Sequence, residues 1–166
     1  GGLFVLGRLV GRYESLAAFQ ARFFQDPTDF YIVGRLVGVV AALATIWLTY
    51  ALVRKHFGLL AARFAALFIA VCYFHVRDAH YLKHDVPSGL LLILALFAID
   101  LAVEHKTTPR YLIAGLSLGV AFATHYYMIF LAPTLAVCHW AAERWQHFGR
   151  VLAAGAVSAV TFFVLS

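Results

Sequence analysis

The sequence predicts an all-α protein, a polytopic bundle of transmembrane helices. Of its 166 residues, 63% are hydrophobic and 13% are charged, and the mean hydropathy is +0.85. A soluble domain is nearer half apolar and a quarter charged. The apolar runs also lack the apolar–polar alternation of strands in a membrane barrel. We therefore expect a single-domain fragment with about five or six membrane helices. Residues 1–29 would form an outer interfacial segment and residues 30–166 the membrane helices.

The first segment predicts a helix that lies on the membrane rather than across it. One helical stripe carries polar side chains and the adjacent stripe carries apolar ones, a pattern typical of interfacial helices. The polar residues are Arg8, Arg12, Ser15 and Arg22, and the apolar residues are Leu9, Leu16, Phe19 and Phe23. Asp26-Pro27-Thr28-Asp29 then breaks the helix and can cap the next one.

Three apolar runs predict membrane helices, at Ile32–Leu52, Leu59–Phe74 and Pro87–Val103. The first has about the 20 residues that a crossing needs. The segment Arg54–Gly58 predicts a turn between the first two helices. Pro87 suits the first turn of the third helix.

A longer apolar run, Tyr111–Trp140, has about 30 residues, which is too long for one upright crossing. It predicts either one tilted helix or two short helices that form a hairpin near residues 124–127. We favour the hairpin, because it gathers seven of the 13 Lys and Arg residues on one face and so makes that face cytoplasmic. These seven are Arg54, Lys55, Arg63, Lys106, Arg110, Arg144 and Arg150. The other six would lie outside, so charge alone leaves the orientation open.

The densest polar segment covers residues 75–87, between two apolar runs. Ionisable side chains close to hydrocarbon are energetically costly, so they mark a functional site. In the predicted topology this segment shares the outer face with Arg35 and residues 1–29. A lipid-linked substrate with a charged head group would bind at such a face.

Two residues are the leading candidates for a site. Arg35 suits bidentate phosphate contacts, and snorkelling to the interface is its alternative role. Asp85, two residues before Pro87, can cap a helix, or it can serve as a base, a metal ligand or a partner for a sugar hydroxyl. If residues 78–85 are helical, Asp78 and Asp85 share one face with Tyr81, and His80 and His84 share another.

Metal binding is a further possibility in the same segment. Asp78, His80 and His84 can hold a divalent ion, but their spacing matches no specific metal motif, and solvated interfacial histidines are the favoured interpretation. His125 lies at the predicted hairpin tip, where it would contact a ligand if the tip reaches the outer cavity. The net charge of +5 fits membrane-flanking Lys and Arg rather than a nucleic-acid partner.

Four segments follow one another in a recognisable order: 26–38, Tyr50–Ala61, His80–Pro87 and Ala114–Tyr126. Together they resemble the polytopic GT-C glycosyltransferases, in the branch of the protein O-mannosyltransferases and the lipid A aminoarabinose transferases. The resemblance covers nearly the whole chain. It implies inverting transfer of a sugar from a polyprenyl-phosphate donor to a glycan, lipid or protein acceptor. The reaction would take place on the outer face of a bacterial or archaeal inner membrane.

The resemblance also implies roles for individual residues. Arg35 would lie near the donor phosphate, and the other substrate-binding candidates are Lys83, His84, Asp85, His80 and His125. Some relatives use a divalent ion. The family's main catalytic carboxylate would precede Gly1, and Glu14 and Asp26 are poor substitutes, which leaves Asp85 as the catalytic candidate here. His125 stands where the family usually has Lys.

Two other classes of membrane protein remain as alternatives. A secondary transporter predicts charges near the middle of the membrane and repeated halves, whereas these charges gather at one face and no repeat is visible. A non-catalytic assembly subunit predicts stripes of small residues for helix packing. Gly34 with Gly38, and Gly115 with Gly119, form such stripes and keep this alternative open.

Overall fold

The computed structural model describes residues 15–81 and 83–166, with the backbone alone at Asp29. All regular structure in these residues is helical, which confirms the all-α prediction. The helices are α1 (Leu16–Gln25), α2 (Thr28–Val71), α3 (Tyr73–Ala79), α4 (Asp85–His105), α5 (Thr108–Thr124), a 3₁₀ helix (Tyr126–Leu131), α6 (Ala132–Glu143) and α7 (Gly149–Leu165). The chain divides into two compact units, 1–37 and 38–166.

In the first unit, side-chain oxygens accept hydrogen bonds from backbone N–H groups at the start of α1 and at the start of α2. The Ser15 hydroxyl accepts a hydrogen bond from the Ala18 N–H at 3.1 Å, and the Asp26 carboxylate accepts one from the Thr28 N–H at 3.1 Å. The predicted break at Asp26–Asp29 is therefore confirmed, and the bonds from Thr28 hold the Asp26 pKa below its usual value. The interfacial position of this helix stays a prediction. Arg8, Leu9, Arg12 and Glu14 fall outside the described residues.

Helix α2 is two helical arms joined at Gly58. This glycine has φ +82° and ψ 179°, a conformation that other residues adopt only with strain. Ala42 and His75 lie nearly the same number of residues before and after it, and the His75 Nε2 is 3.4 Å from the Ala42 carbonyl oxygen. The chain therefore reverses at Gly58, at the end of the predicted turn, and helical structure extends as far as Phe57.

The two halves of Tyr111–Trp140 form the predicted hairpin. Helix α5 ends at Thr124, and α6 begins at Ala132 after the 3₁₀ helix. The Tyr111 hydroxyl, near the start of α5, donates to His139 Nδ1, near the end of α6, at 2.7 Å. Helices α5 and α6 are therefore antiparallel, and the single tilted helix is excluded.

The core of the second unit is built from small residues. Its buried members are Ala95, Ala98, Ile99, Ala102, Tyr111, Ala114, Leu118, Leu135 and Ala154. A Cβ added at Gly115 would collide with the Ala154 carbonyl oxygen, and one added at Gly119 would lie 2.6 Å from the Ser158 carbonyl oxygen. The Gly115–Gly119 stripe thus packs α5 against α7 within this chain.

Two helices in the described residues are long and apolar enough to cross a membrane, by length and composition. They cover Phe30–Val71, with 42 residues, and Asp85–His105, with 21. Helix α7 is apolar but shorter. The predicted count of five or six membrane helices is not confirmed. Large apolar side chains such as Val40, Leu43 and Trp47 lie exposed along α2, as lipid contact requires.

Candidate functional site

Three titratable side chains meet where α4 begins and α5 ends. His84, Asp85 and His125 each offer one ligand atom, and these atoms lie within 4.8 Å of one another. The distance between His125 Nε2 and Asp85 Oδ1 is 3.6 Å. We call these three residues the histidine cluster. Residues 40 positions apart in the sequence thus reach one point because the α4–α5 pair is antiparallel.

The local structure at the start of α4 leaves the Asp85 side chain free. His84 occupies the N-cap position, and its carbonyl oxygen accepts a hydrogen bond from the Ser88 hydroxyl at 2.6 Å. Asp85 is the first helical residue and does not act as the cap. Its side chain is 45% exposed.

His125 ends α5 and is held in place by its neighbours. Its backbone N–H donates to the Ala121 carbonyl oxygen, and its ring stacks on Tyr127 with centroids 4.8 Å apart. The centroid of the His84 ring is 4.4 Å from that of the His125 ring. The His125 Nε2 is buried and has no hydrogen-bond partner. Burial of a polar atom without a partner costs about 1–3 kcal/mol, so a ligand bound to this nitrogen would offset that cost.

The chain before the cluster contradicts one prediction. Helix α3 ends at Ala79, and a turn follows at His80 and Tyr81, so residues 78–85 do not form one helix with shared faces. The reason is local: the His80 ring contacts the carbonyl oxygen of Val76 at 2.7 Å and occupies the helix end. Among the described residues, the structure brings neither Asp78 nor His80 into a metal-ligating group with His84.

Asp78 is committed to basic neighbours instead. The Arg77 guanidinium donates to its carboxylate at 2.8 Å, and the Lys83 ammonium lies 3.8 Å away. The hydrogen bond from Arg77 holds the Asp78 pKa below its usual value. Lys83 is therefore drawn toward Asp78, and its predicted contact with substrate stays untested. Arg35 is an exposed residue of the first unit, and its role at a donor phosphate also stays a prediction.

The other end of α4 is occupied by ion pairs. Lys55 contacts Asp100 and Glu104, each at 2.6 Å, and His56 contacts Asp100 at 2.8 Å. We call these four residues the ion-pair cluster. A third carboxylate near this end, Glu143, lies within 4 Å of cationic groups on Lys106 and Arg150.

A cavity of about 580 Å³ opens beside the ion-pair cluster, between α2, α4 and α6. Its walls are mostly apolar side chains, such as Leu52, Ile99 and Val103. The two charged or titratable nitrogen and oxygen side chains that line it, His56 and Asp100, are already paired with each other, and Thr134 and Cys138 are its other polar lining residues. The cavity therefore has little polar chemistry to offer, and the histidine cluster is the better candidate site.

Sequence reasoning found each member of the histidine cluster but not the grouping. His84 and Asp85 belong to the polar segment, whereas His125 was placed at a hairpin tip 40 residues later. The signal that could have joined them was the hairpin itself, since its tip and the start of α4 lie at the same end of the bundle.

Comparison with known proteins identifies the family. A family model described as dolichyl-phosphate-mannose-protein mannosyltransferase matches residues 16–166, which is most of the chain. No curated protein and no solved structure gives a significant match. The matched region includes both units' described helices and the whole histidine cluster.

Proposed function

Because the chain belongs to the dolichyl-phosphate-mannose-protein mannosyltransferase family, we propose that it takes part in sugar transfer from a polyprenyl-phosphate donor. The family is one of membrane glycosyltransferases of the GT-C type. The acceptor would be a hydroxyl group of a glycan, lipid or protein at the extracytoplasmic face. The nature of the sugar, the lipid carrier and the acceptor goes beyond the family match and belongs to the proposal.

The observation that carries the proposal is the exposed carboxylate of Asp85 in the histidine cluster. Most other described acidic side chains of the second unit are tied to basic partners at 2.6–2.8 Å, such as Asp78 and Asp100. Asp85 has only His125 nearby, at 3.6 Å, and is 45% exposed. A carboxylate that is accessible and not held in a short ion pair with another side chain can bind a substrate hydroxyl.

The proposed reaction is a single displacement. The acceptor oxygen attacks the anomeric carbon, and a carboxylate takes the hydroxyl proton. The bond between the anomeric carbon and the phosphate oxygen breaks, and the polyprenyl phosphate leaves with the electron pair, so the configuration inverts. Basic side chains stabilise the charge that develops on that phosphate.

Asp85 would hold a substrate hydroxyl, and Arg35 would bind the donor phosphate with its planar guanidinium. His80, Lys83, His84 and His125 would make supporting substrate contacts. This division of roles follows from the residue chemistry and from the exposed position of Asp85 at the start of α4.

The test compares variants of the full-length protein in membranes. Transfer of radiolabelled sugar from polyprenyl-phosphate donors is measured at matched protein levels for wild type, Asp85→Asn and Arg35→Ala. We expect Asp85→Asn to lower transfer by about 100-fold, within the range for a positioned acid–base group. Arg35→Ala should raise the donor KM by about 10-fold or more, because a charge-assisted hydrogen bond is lost.

The matched control is Asp100→Asn, which makes the same change on the same helix at the ion-pair cluster. Its transfer rate per folded molecule should equal that of wild type. Wild-type transfer in both Asp85→Asn and Arg35→Ala would contradict the proposed roles. Absence of transfer by the wild-type protein from every donor tested would favour a transporter or an assembly subunit.

A further inference from the structure

We infer that the histidine cluster is a binding site for a divalent transition-metal ion of the Zn²⁺ type. His84, Asp85 and His125 would be its protein ligands. The inference rests on the geometry of the cluster and does not depend on sugar transfer. It also differs from the grouping of Asp78, His80 and His84 that the sequence suggested.

The first argument is the unpartnered nitrogen. His125 Nε2 is buried, its ring is fixed between His84 and Tyr127, and it donates to or accepts from nothing. Its nearest acidic neighbour is Asp85 Oδ1, at 3.6 Å. That separation exceeds a hydrogen bond but suits two ligands of one metal ion. Bonds of about 2.0–2.1 Å at a tetrahedral zinc ion place neighbouring ligand atoms about 3.3 Å apart.

The second argument is the freedom of the other two ligands. All three ligand atoms lie within 4.8 Å of one another, so the widest gap must close by at most about 1.5 Å to reach tetrahedral spacing. His84 and Asp85 are exposed and stand at the very start of α4, where their side chains can rotate. One fixed ligand and two adjustable ones allow the site to tighten around an ion.

The donor set identifies the class of ion. Two imidazoles and one carboxylate favour Zn²⁺ and neighbouring transition metals, whereas Mg²⁺ and Ca²⁺ prefer oxygen ligands throughout. Three protein ligands leave a fourth position for water or for an anionic oxygen, as in open zinc sites. The ion would also link the start of α4 to the end of α5.

The rival interpretation is an ion pair between protonated His125 and Asp85. Such a pair is weak at 3.6 Å with a half-exposed carboxylate, and it needs no contribution from His84. The two interpretations therefore differ at His84: metal binding requires its ring nitrogen, and the ion pair does not.

The experiment measures metal binding by the purified full-length protein in detergent. After removal of bound metal with a chelator, Zn²⁺ is added from a metal buffer, and the bound metal is quantified by mass spectrometry. Cobalt substitution gives a second readout, because visible absorption of Co²⁺ reports its ligands. We expect one Zn²⁺ per chain to be lost in His125→Gln, and the affinity to fall by about 10-fold or more in His84→Gln and Asp85→Asn.

The matched control is His80→Gln, which removes an exposed imidazole four residues before His84. It should bind Zn²⁺ and Co²⁺ as wild type does. Because His84 is exposed, His84→Gln should keep its fold, so a loss of binding in that variant is not a folding defect. Equal metal binding in wild type, His84→Gln and His125→Gln would overturn the inference, whether or not the protein transfers sugar.

Discussion

The two ends of α4 contrast in how their charged groups are satisfied. At the C-terminal end, Asp100 and Glu104 accept short hydrogen bonds from Lys55, and His56 completes the ion-pair cluster. At its start, Asp85 faces a histidine at 3.6 Å, and the Nε2 of that histidine has no partner. Helix α4 thus has paired charged groups at its C-terminal end and, at its N-terminal end, an aspartate beside a histidine that lacks a hydrogen-bond partner.

This difference separates a structural role from a functional one. Groups that satisfy one another stabilise the fold but have little capacity left for a substrate. Groups that remain unsatisfied cost stability, and a protein keeps them where they bind something else. The comparison therefore supports the proposed site at the start of α4 and predicts that mutations at the two ends have different consequences.

The largest expected effect comes from a substitution in the contact between α5 and α7. Gly115→Ala places a methyl group against the Ala154 backbone, which cannot move as a flexible side chain would. We expect the α5–α7 contact to open and stability to fall by about 3 kcal/mol, the upper part of the usual range for overpacking. The measurement is the midpoint of thermal unfolding in detergent.

Gly155→Ala is the control for that change, since a Cβ at Gly155 in α7 meets nothing within 4 Å. It should leave stability equal or slightly higher, because alanine is the better helix former. Equal midpoints for Gly115→Ala and wild type would show that the α5–α7 contact is looser than described.

A smaller effect sharpens the contrast between the ends. Asp100→Asn removes the charge that binds Lys55 and His56, and it should cost about 2 kcal/mol, as loss of hydrogen bonds to charged groups does. Asp85→Asn should cost only about 0.5 kcal/mol, the size of a helix-dipole term at an exposed site. Denaturant titration of both variants measures the two costs. A larger loss for Asp85→Asn would reverse our assignment of the stabilising end.

The smallest expected effect is a pH dependence of stability that arises from the Arg77–Asp78 pair. The Arg77 hydrogen bond lowers the Asp78 pKa below its ordinary value of 3.8. The charged form is favoured in the folded state, so this pairing stabilises the fold above the ordinary pKa. That stability is lost as the pH falls through the lowered folded-state pKa. Unfolding midpoints should therefore differ between wild type and Arg77→Gln at neutral pH, and the difference should shrink in strong acid.

Arg77 also lies over the Phe74 ring, 4.9 Å from its centroid, so its removal has a cost that does not vary with pH. Only the part of the difference that changes with pH reports on Asp78. Arg63→Gln removes an exposed cation of the same type and controls for net charge. A similar acid dependence in Arg63→Gln would show that net charge, rather than the Arg77–Asp78 pair, causes it.

The sequence by itself determined the helical class, the break at Asp26–Asp29, a reversal of the chain close to Gly58 and the hairpin tip beside His125. These features follow from local chemistry: apolar length, proline and glycine conformations, and polar residues at helix ends. The four segments that resemble GT-C glycosyltransferases also pointed to the family that the match over residues 16–166 shows.

Only the tertiary structure decided which polar groups meet. The spacing of Asp78 with Asp85, and of His80 with His84, suggested two shared helical faces, but the turn at His80 and Tyr81 interrupts the helix. The packing of α4 against α5 instead brings His125 to His84 and Asp85, and the reversal at Gly58 places Lys55 beside Asp100. Such pairings depend on how the helices cross, and the crossing depends on contacts such as that of Gly115 with Ala154. A local sequence pattern shows a stripe of small residues but does not show which helix packs against it.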